Sequence, residues 1–161
     1  MQKNILVIGG NSLIGKELIK IASSNGNNVI VTSRSDLQAP VDTFIQLDPN
    51  GDLSDLDALP ESIDGLVYCP GSISLKSIQR LDISDVQEDL KINFEGAFNI
   101  IKKVLPNLKK EDGASVIFIS SIGGLKGTAT LGTYSVTKAA EMALGRNLAV
   151  ESGPKGIRAN T

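Results

Sequence analysis

Residues 4–15 read NILVIGGNSLIG, an unbroken apolar run closed by two glycines, then a polar pair and a further glycine. A strand buried on both faces of a parallel sheet has this continuous hydrophobic character. Beyond it the period changes. In SLIGKELIKIASSNG (12–26) the apolar residues Leu13, Ile14, Leu18, Ile19 and Ala22 recur at helical spacing, Ser12 stands where an N-cap belongs, and Gly26 where a helix stops. NVIVTS (28–33) then returns to strand. Strand, glycine turn, helix and strand make one βαβ unit, whose crossover is right-handed.

Working outward, the alternation continues. TFIQLD (43–48), DGLVYCPG (64–71) and ASVIFISS (114–121) read as strands, and GIRANT (156–161) as the beginning of one. ISDVQEDLKINFEGAFNIIKKVLPNL (83–108) and GTYSVTKAAEMALGRNLAVES (132–152) read as long helices. Between Asp48 and Asp64 the crossover DPNGDLSDLDALPESI has room for one or two helical turns. Strands alternating with helices imply a doubly wound parallel sheet, a Rossmann-like three-layer α/β/α domain. Residues 1–161 are expected to form this single domain, apparently truncated after the start of a sixth strand.

Composition narrows the function. The chain has 161 residues, 41% hydrophobic and only 4% aromatic, with 16 glycines. No apolar run approaches the 18 or so residues of a membrane span. The start, MQKNILVIGG, lacks the longer hydrophobic segment and cleavage site of a signal peptide. These features lead us to expect a cytoplasmic protein with no membrane partner. A single cysteine, Cys69, cannot form an intramolecular disulfide, and the absence of histidine removes the usual zinc sets and histidine-based nucleophilic catalysis. No metal site is expected. A net charge of −2 with basic residues clustered only in IKKVLPNLKK (101–110), read as a solvated helix end, gives no footprint for nucleic acid.

The turn GGNSLIG (9–15) joins the first strand to the first helix. Glycines let the backbone approach a pyrophosphate, and the helix N-terminus offers unpaired N–H groups and a favourable dipole. An ordinary glycine-bearing turn is the alternative. Neither G-x-G-x-x-G nor a P-loop matches. The second strand ends in VTSRSD (31–36), where a dinucleotide ribose is read; an arginine there accommodates a 2′-phosphate. Arg34 therefore favours NADP(H), with NAD(H) possible, unless Asp36 pairs with it or it is merely a solvated loop charge.

TYSVTKAAE (133–141) places Tyr134 and Lys138 four residues apart, on one helical face. A phenol of ordinary pKa about 10 is a poor acid or base near neutrality, but an adjacent ammonium favours the phenolate. The alternative is an exposed helical face. Ser120 and Ser121 close the preceding strand at its carboxyl end, the ligand side of such sheets; a hydroxyl capping local backbone is the competing role for Ser121.

Taken together, these residues resemble the short-chain dehydrogenase/reductase family along the whole chain. The family's glycine-rich turn falls on Gly9 to Gly15, with Asn11, Ser12, Leu13 and Ile14 between them, and Ser33 and Arg34 stand at the tip of the second strand. Its adenine-side aspartate falls on Asp48, and its Asn-Asn-Ala-Gly segment on Tyr68, Cys69, Pro70 and Gly71. Asn93, Ser121, Tyr134 and Lys138 take the four catalytic positions in order. Departures are Ile8 for the family's threonine, Ser12 and Leu13 where the central glycine belongs, and the substitutions in the fourth-strand segment, where Gly71 is kept. The family continues beyond Thr161 with a Pro-Gly turn, a substrate lid and a seventh strand.

The resemblance implies hydride transfer between NADP(H) and a small carbonyl or secondary alcohol. Tyr134 would be the proton donor and acceptor, Ser121 would polarise the substrate oxygen, and Lys138 would lower the tyrosine pKa and hydrogen-bond the nicotinamide ribose. Asn93, by interrupting its helix, would hold a water linking that lysine to solvent. Gly9 to Gly15, Ser33, Arg34, Asp48, Cys69 and Gly71, with Tyr134 and Lys138, would bind the cofactor. The two long helices carry more apolar surface than one sheet face buries, and in the family they pair between subunits, so a homodimer or homotetramer is expected. The alternative function is a non-catalytic NAD(P)-binding sensor or scaffold.

Overall fold

The computed structural model describes residues 2–37, 39, 41–108 and 113–161. Lys109 and Lys110, which close the basic stretch noted above, lie outside the described residues. In chain order the elements are β1 (Asn4–Ile8), α1 (Leu13–Ser24), β2 (Asn28–Ser33), β3 (Thr43–Gln46), β4 (Gly65–Tyr68), α2 (Ile83–Leu90), α3 (Gly96–Leu108), β5 (Ala114–Phe118), α4 (Gly132–Ser152) and β6 (Ile157–Asn160). Among the described residues all five strand pairings are parallel, in the order β3-β2-β1-β4-β5-β6. β1 is central: Ile8 lies opposite Thr32 of β2 and Tyr68 of β4. The doubly wound fold expected of the alternation is the one found.

Side-chain alternation across this sheet divides the core in two. Leu6, Ile8, Leu66, Tyr68, Val116 and Phe118 face α3 and α4, meeting Ile100, Val104 and Leu148. Val7, Val29 and Val31 face the other way, against Ile19 and Ala22 of α1. Both faces of β1 are thus dry, which is why its sequence shows no polar alternation. Ile117 of β5, on the α1 side, stays 39% exposed. Phe98, Val136 and Val150 put apolar surface of α3 and α4 into solvent. The crossover after Asp48 holds one 3-10 turn, Ser54–Ala58, pinned by buried Leu56. No helix among the described residues is long and apolar enough to cross a membrane.

The long helix read over 83–108 is interrupted at Asn93, as the resemblance implied: a π-helical turn, Lys91–Glu95, separates α2 from α3. A π-turn frees backbone carbonyls that an α-helix would satisfy internally. Here Asn50 Nδ2 donates to Lys91 O (2.9 Å) and the Tyr68 hydroxyl donates to Ile92 O (3.2 Å). Gly96 follows because a β-carbon there would lie 2.6 Å from the Tyr68 hydroxyl oxygen.

Candidate active site

Strand order reverses at β1 and β4, and a cleft opens beyond their carboxyl ends, where doubly wound sheets bind ligands. Gly9 and Gly10 both donate to Thr32 O (3.0 and 2.9 Å), folding the first turn over the tip of β2. Gly9 needs its left-handed φ of +79°, and a β-carbon on it would sit 3.0 Å from Pro70 Cγ. Ser12 caps α1, its hydroxyl oxygen accepting from Gly15 N at 3.0 Å. A β-carbon on Gly15 would lie 2.7 Å from Gly9 O, so this glycine sets the close packing of helix on turn. Asn11 donates to Ser33 Oγ (2.8 Å) and to the carbonyls of Ser35 and Asp36, tying the turn to the loop that carries Arg34.

The resulting groove has a volume of about 660 Å³ and runs from Arg34, Ser33 and Asp48 past Gly9, Asn11 and Ser12 to Cys69 and Gly71. Leu13 and Ile14, by contrast, form the first turn of α1 and are 87% and 51% exposed. Among the described residues Arg34 makes no ion pair with Asp36, leaving its guanidinium available to the groove. Asp48 is exposed and accepts from Asn50 N at 2.9 Å. Burial pushes the Cys69 thiol up to about 11, so it stays protonated at neutral pH.

The remaining residues converge from α4, β5 and the π-turn. Asn93 is buried; its Oδ1 accepts from Ser72 N (2.7 Å), and its Nδ2 donates to Ser72 O (3.0 Å) and Thr137 Oγ1 (2.9 Å). The π-turn thereby clamps the loop after β4 to α4. A β-carbon on Gly71 would lie 3.3 Å from Asn93 Oδ1 and 3.6 Å from Lys138 Nζ, so both side chains pack close to this groove-lining glycine. Lys138 is 3% exposed and donates to Ile119 O and to Glu141 Oε2, both at 2.9 Å. Tyr134 is half-buried one turn earlier on α4. Ser121 caps the 3-10 turn after β5, its oxygen accepting from Gly123 N at 3.1 Å, which leaves the hydroxyl proton free to donate. Ser120 instead donates to Lys138 O at 3.2 Å.

Two buried acids escaped the sequence reading. Asp89, on α2, accepts from the hydroxyls of Ser72, Ser74 and Thr133 and so fixes both the β4 loop and the start of α4. Glu141 is fully buried beside Lys138. Its spacing of three from the lysine marks a shared helical face; its burial had no sequence signal.

A parallel sheet in this order, with a glycine turn and a Tyr-x-x-x-Lys helix flanking its switch point, defines a Rossmann-like domain of the dehydrogenase type. A family model described as short chain dehydrogenase matches residues 53–161, and the chain belongs to that family. It is 24% identical over 176 residues to the uncharacterized oxidoreductase YmfI of Bacillus subtilis (strain 168), covering 99% of this chain and 73% of that protein. It is 36% identical over 96 residues to a 3-alpha-(or 20-beta)-hydroxysteroid dehydrogenase of Mycobacterium tuberculosis (strain ATCC 25618 / H37Rv), covering 60% of this chain and 37% of that one. The structure of ElxO with NADP bound superposes with a TM-score of 0.88 at 28% identity, covering 99% of this chain and 72% of ElxO.

Proposed function

We propose that the chain carries the cofactor-binding and proton-donating parts of an NADP(H)-dependent reductase acting on a small carbonyl, or on a secondary alcohol in reverse. The observation that carries this reading is the meeting at Gly71: this glycine lines the groove, and Lys138 Nζ, on the helix that bears Tyr134, packs close to it. NADP bound to ElxO supports the choice of cofactor. The residues also fit a dinucleotide by shape, since Gly9 and Gly71 line the groove with backbone that carries no side chain. Gly9, Asn11 and Ser12 would hold the pyrophosphate, Ser33 and Arg34 the phosphorylated ribose, and Asp48 the adenine side. Leu13, Ile14 and Gly15 would contribute backbone at the helix N-terminus.

When bound, the nicotinamide supplies or accepts the hydride. Tyr134 gives the substrate oxygen its proton, Ser121 donates a second hydrogen bond to that oxygen, and the Lys138 ammonium stabilises the resulting phenolate. Asn93 holds the β4 loop in register with Lys138. The test is turnover of NADPH by the full chain with a ketone panel, followed by absorbance of the reduced nicotinamide. Tyr134→Phe is expected to lower kcat at least about a hundredfold while NADPH still binds; undiminished turnover would refute the assignment. NADPH binding without turnover of any ketone would favour the sensor reading.

A further inference from the structure

Lys138 and Glu141 form an ion pair at 2.9 Å with side chains 3% and 0% exposed. Such burial is expensive, and well-packed apolar residues generally serve stability as well or better. The pair therefore calls for a reason beyond packing. We propose that Glu141 is a positioning residue for the proton-donating pair: its carboxylate fixes the Lys138 ammonium and offsets part of its field at Tyr134. This rests on the function proposed above.

Geometry supports it from three sides. Lys138 spends one N–H on Glu141 Oε2 and one on Ile119 O, two anchors that hold its Nζ close to Gly71. Without the carboxylate the ammonium would have a second direction in which to turn. The other Glu141 oxygen, Oε1, is buried with no hydrogen-bond partner, which leaves the acid poorly solvated and responsive to its surroundings. The groups facing it from neighbouring elements are the Tyr68 phenol and Cys69 thiol of the β4 end and the Ser120 hydroxyl after β5. Asp89 of α2 is occupied by three hydroxyls, and Arg158 of β6 is exposed. Lys138 is thus the one cation against it among the described residues. Burial pushes the carboxyl up to about 7 against the opposing pull of Lys138, so it is ionised in the alkaline range where a phenol titrates.

The chain allows a direct test without cofactor or substrate, because it contains two tyrosines and no tryptophan. Burial raises the Tyr68 phenol above its ordinary value, and the part of the ultraviolet phenolate signal that vanishes in Tyr134→Phe is the part that reports Tyr134. Glu141→Gln, which keeps shape and removes charge, is expected to lower the Tyr134 midpoint by about one pH unit. Glu141→Asp, which keeps charge, should leave it closer to the parent value. A midpoint in Glu141→Gln equal to or above the parent's would overturn the proposal. Should Glu141→Gln fail to fold by circular dichroism, the unsubstituted protein decides: the Tyr134 ring-carbon resonance must show a second inflection at the midpoint of the Glu141 carboxyl carbon, and its absence also overturns the proposal. A shifted midpoint in a protein that turns over no ketone would remove the enzymatic reading alone. Turnover that is lost in Tyr134→Phe, with an unmoved midpoint, would remove the role of Glu141 alone.

Discussion

Arg34 illustrates how a single side chain is prepared by its neighbours without touching them through its own charge. Gln46 Nε2 donates to its backbone carbonyl at 3.1 Å, and Asn11 holds the carbonyls of Ser35 and Asp36, so the loop is fixed on both sides of it. The guanidinium remains exposed at the rim of the groove. A planar, always-charged fork in that place suits a phosphate better than a hydroxyl. Charge-assisted hydrogen bonds of this kind carry about 1.5 to 3 kcal/mol, or roughly a tenfold to hundredfold change in affinity. Arg34→Ala is therefore expected to weaken NADPH binding at least about tenfold and to leave NADH binding nearly unchanged, by fluorescence titration of each. Equal losses for both would contradict a phosphate role.

At the scale of elements, β1, β2 and α1 were legible because burial on both sheet faces selects Val, Ile and Leu, and one-sided packing imposes a helical period. The Ser12 cap and Gly26 stop announced the bounds of α1 within a residue or two. The break at Asn93 came from the resemblance and not from the helical period, and its π-turn form at Lys91–Glu95 has a tertiary cause: the Tyr68 hydroxyl and the Asn50 amide take carbonyls from a segment 24 and 41 residues away. The candidate site divides the same way. A spacing of four puts Tyr134 and Lys138 on one face of α4 from sequence alone, whereas the contact of Lys138 with Ile119 O depends on how α4 meets β5. Tyr68→Phe tests the tertiary cause. It leaves a π-turn carbonyl without its donor, at a cost of about 1 to 3 kcal/mol for a buried unpaired group. For a chain of this size that is a fall of roughly 2 to 12 °C in Tm, read by thermal denaturation. An unchanged Tm would mean that the hydroxyl does nothing for the turn.

For the whole molecule, the buried acid makes stability depend on pH with a definite sign. The Glu141 carboxyl titrates near 4.5 when unfolded and is raised to about 7 when folded, chiefly by burial, with Lys138 pulling it back down. Between those values the folded chain holds a proton that the unfolded chain has released, so ν_U − ν_N is −1 for this group and stability falls as pH rises. The contribution is fully present below pH 4.5, declines through the interval and is gone above about 7. A displacement of this size corresponds to on the order of 3 kcal/mol. Asp52 and Asp85, whose carboxyls are held below their ordinary value by hydrogen bonds from Ser54 and Lys76 respectively, act in the opposite sense at lower pH. Comparison with Glu141→Gln cancels these shared effects. The Tm of the parent minus that of the variant is expected to fall steadily from about pH 4.5 to 7 and to level off beyond it, whatever constant offset the substitution brings. A difference flat across that range would mean that Glu141 is ionised throughout, held by Lys138 more firmly than its burial opposes.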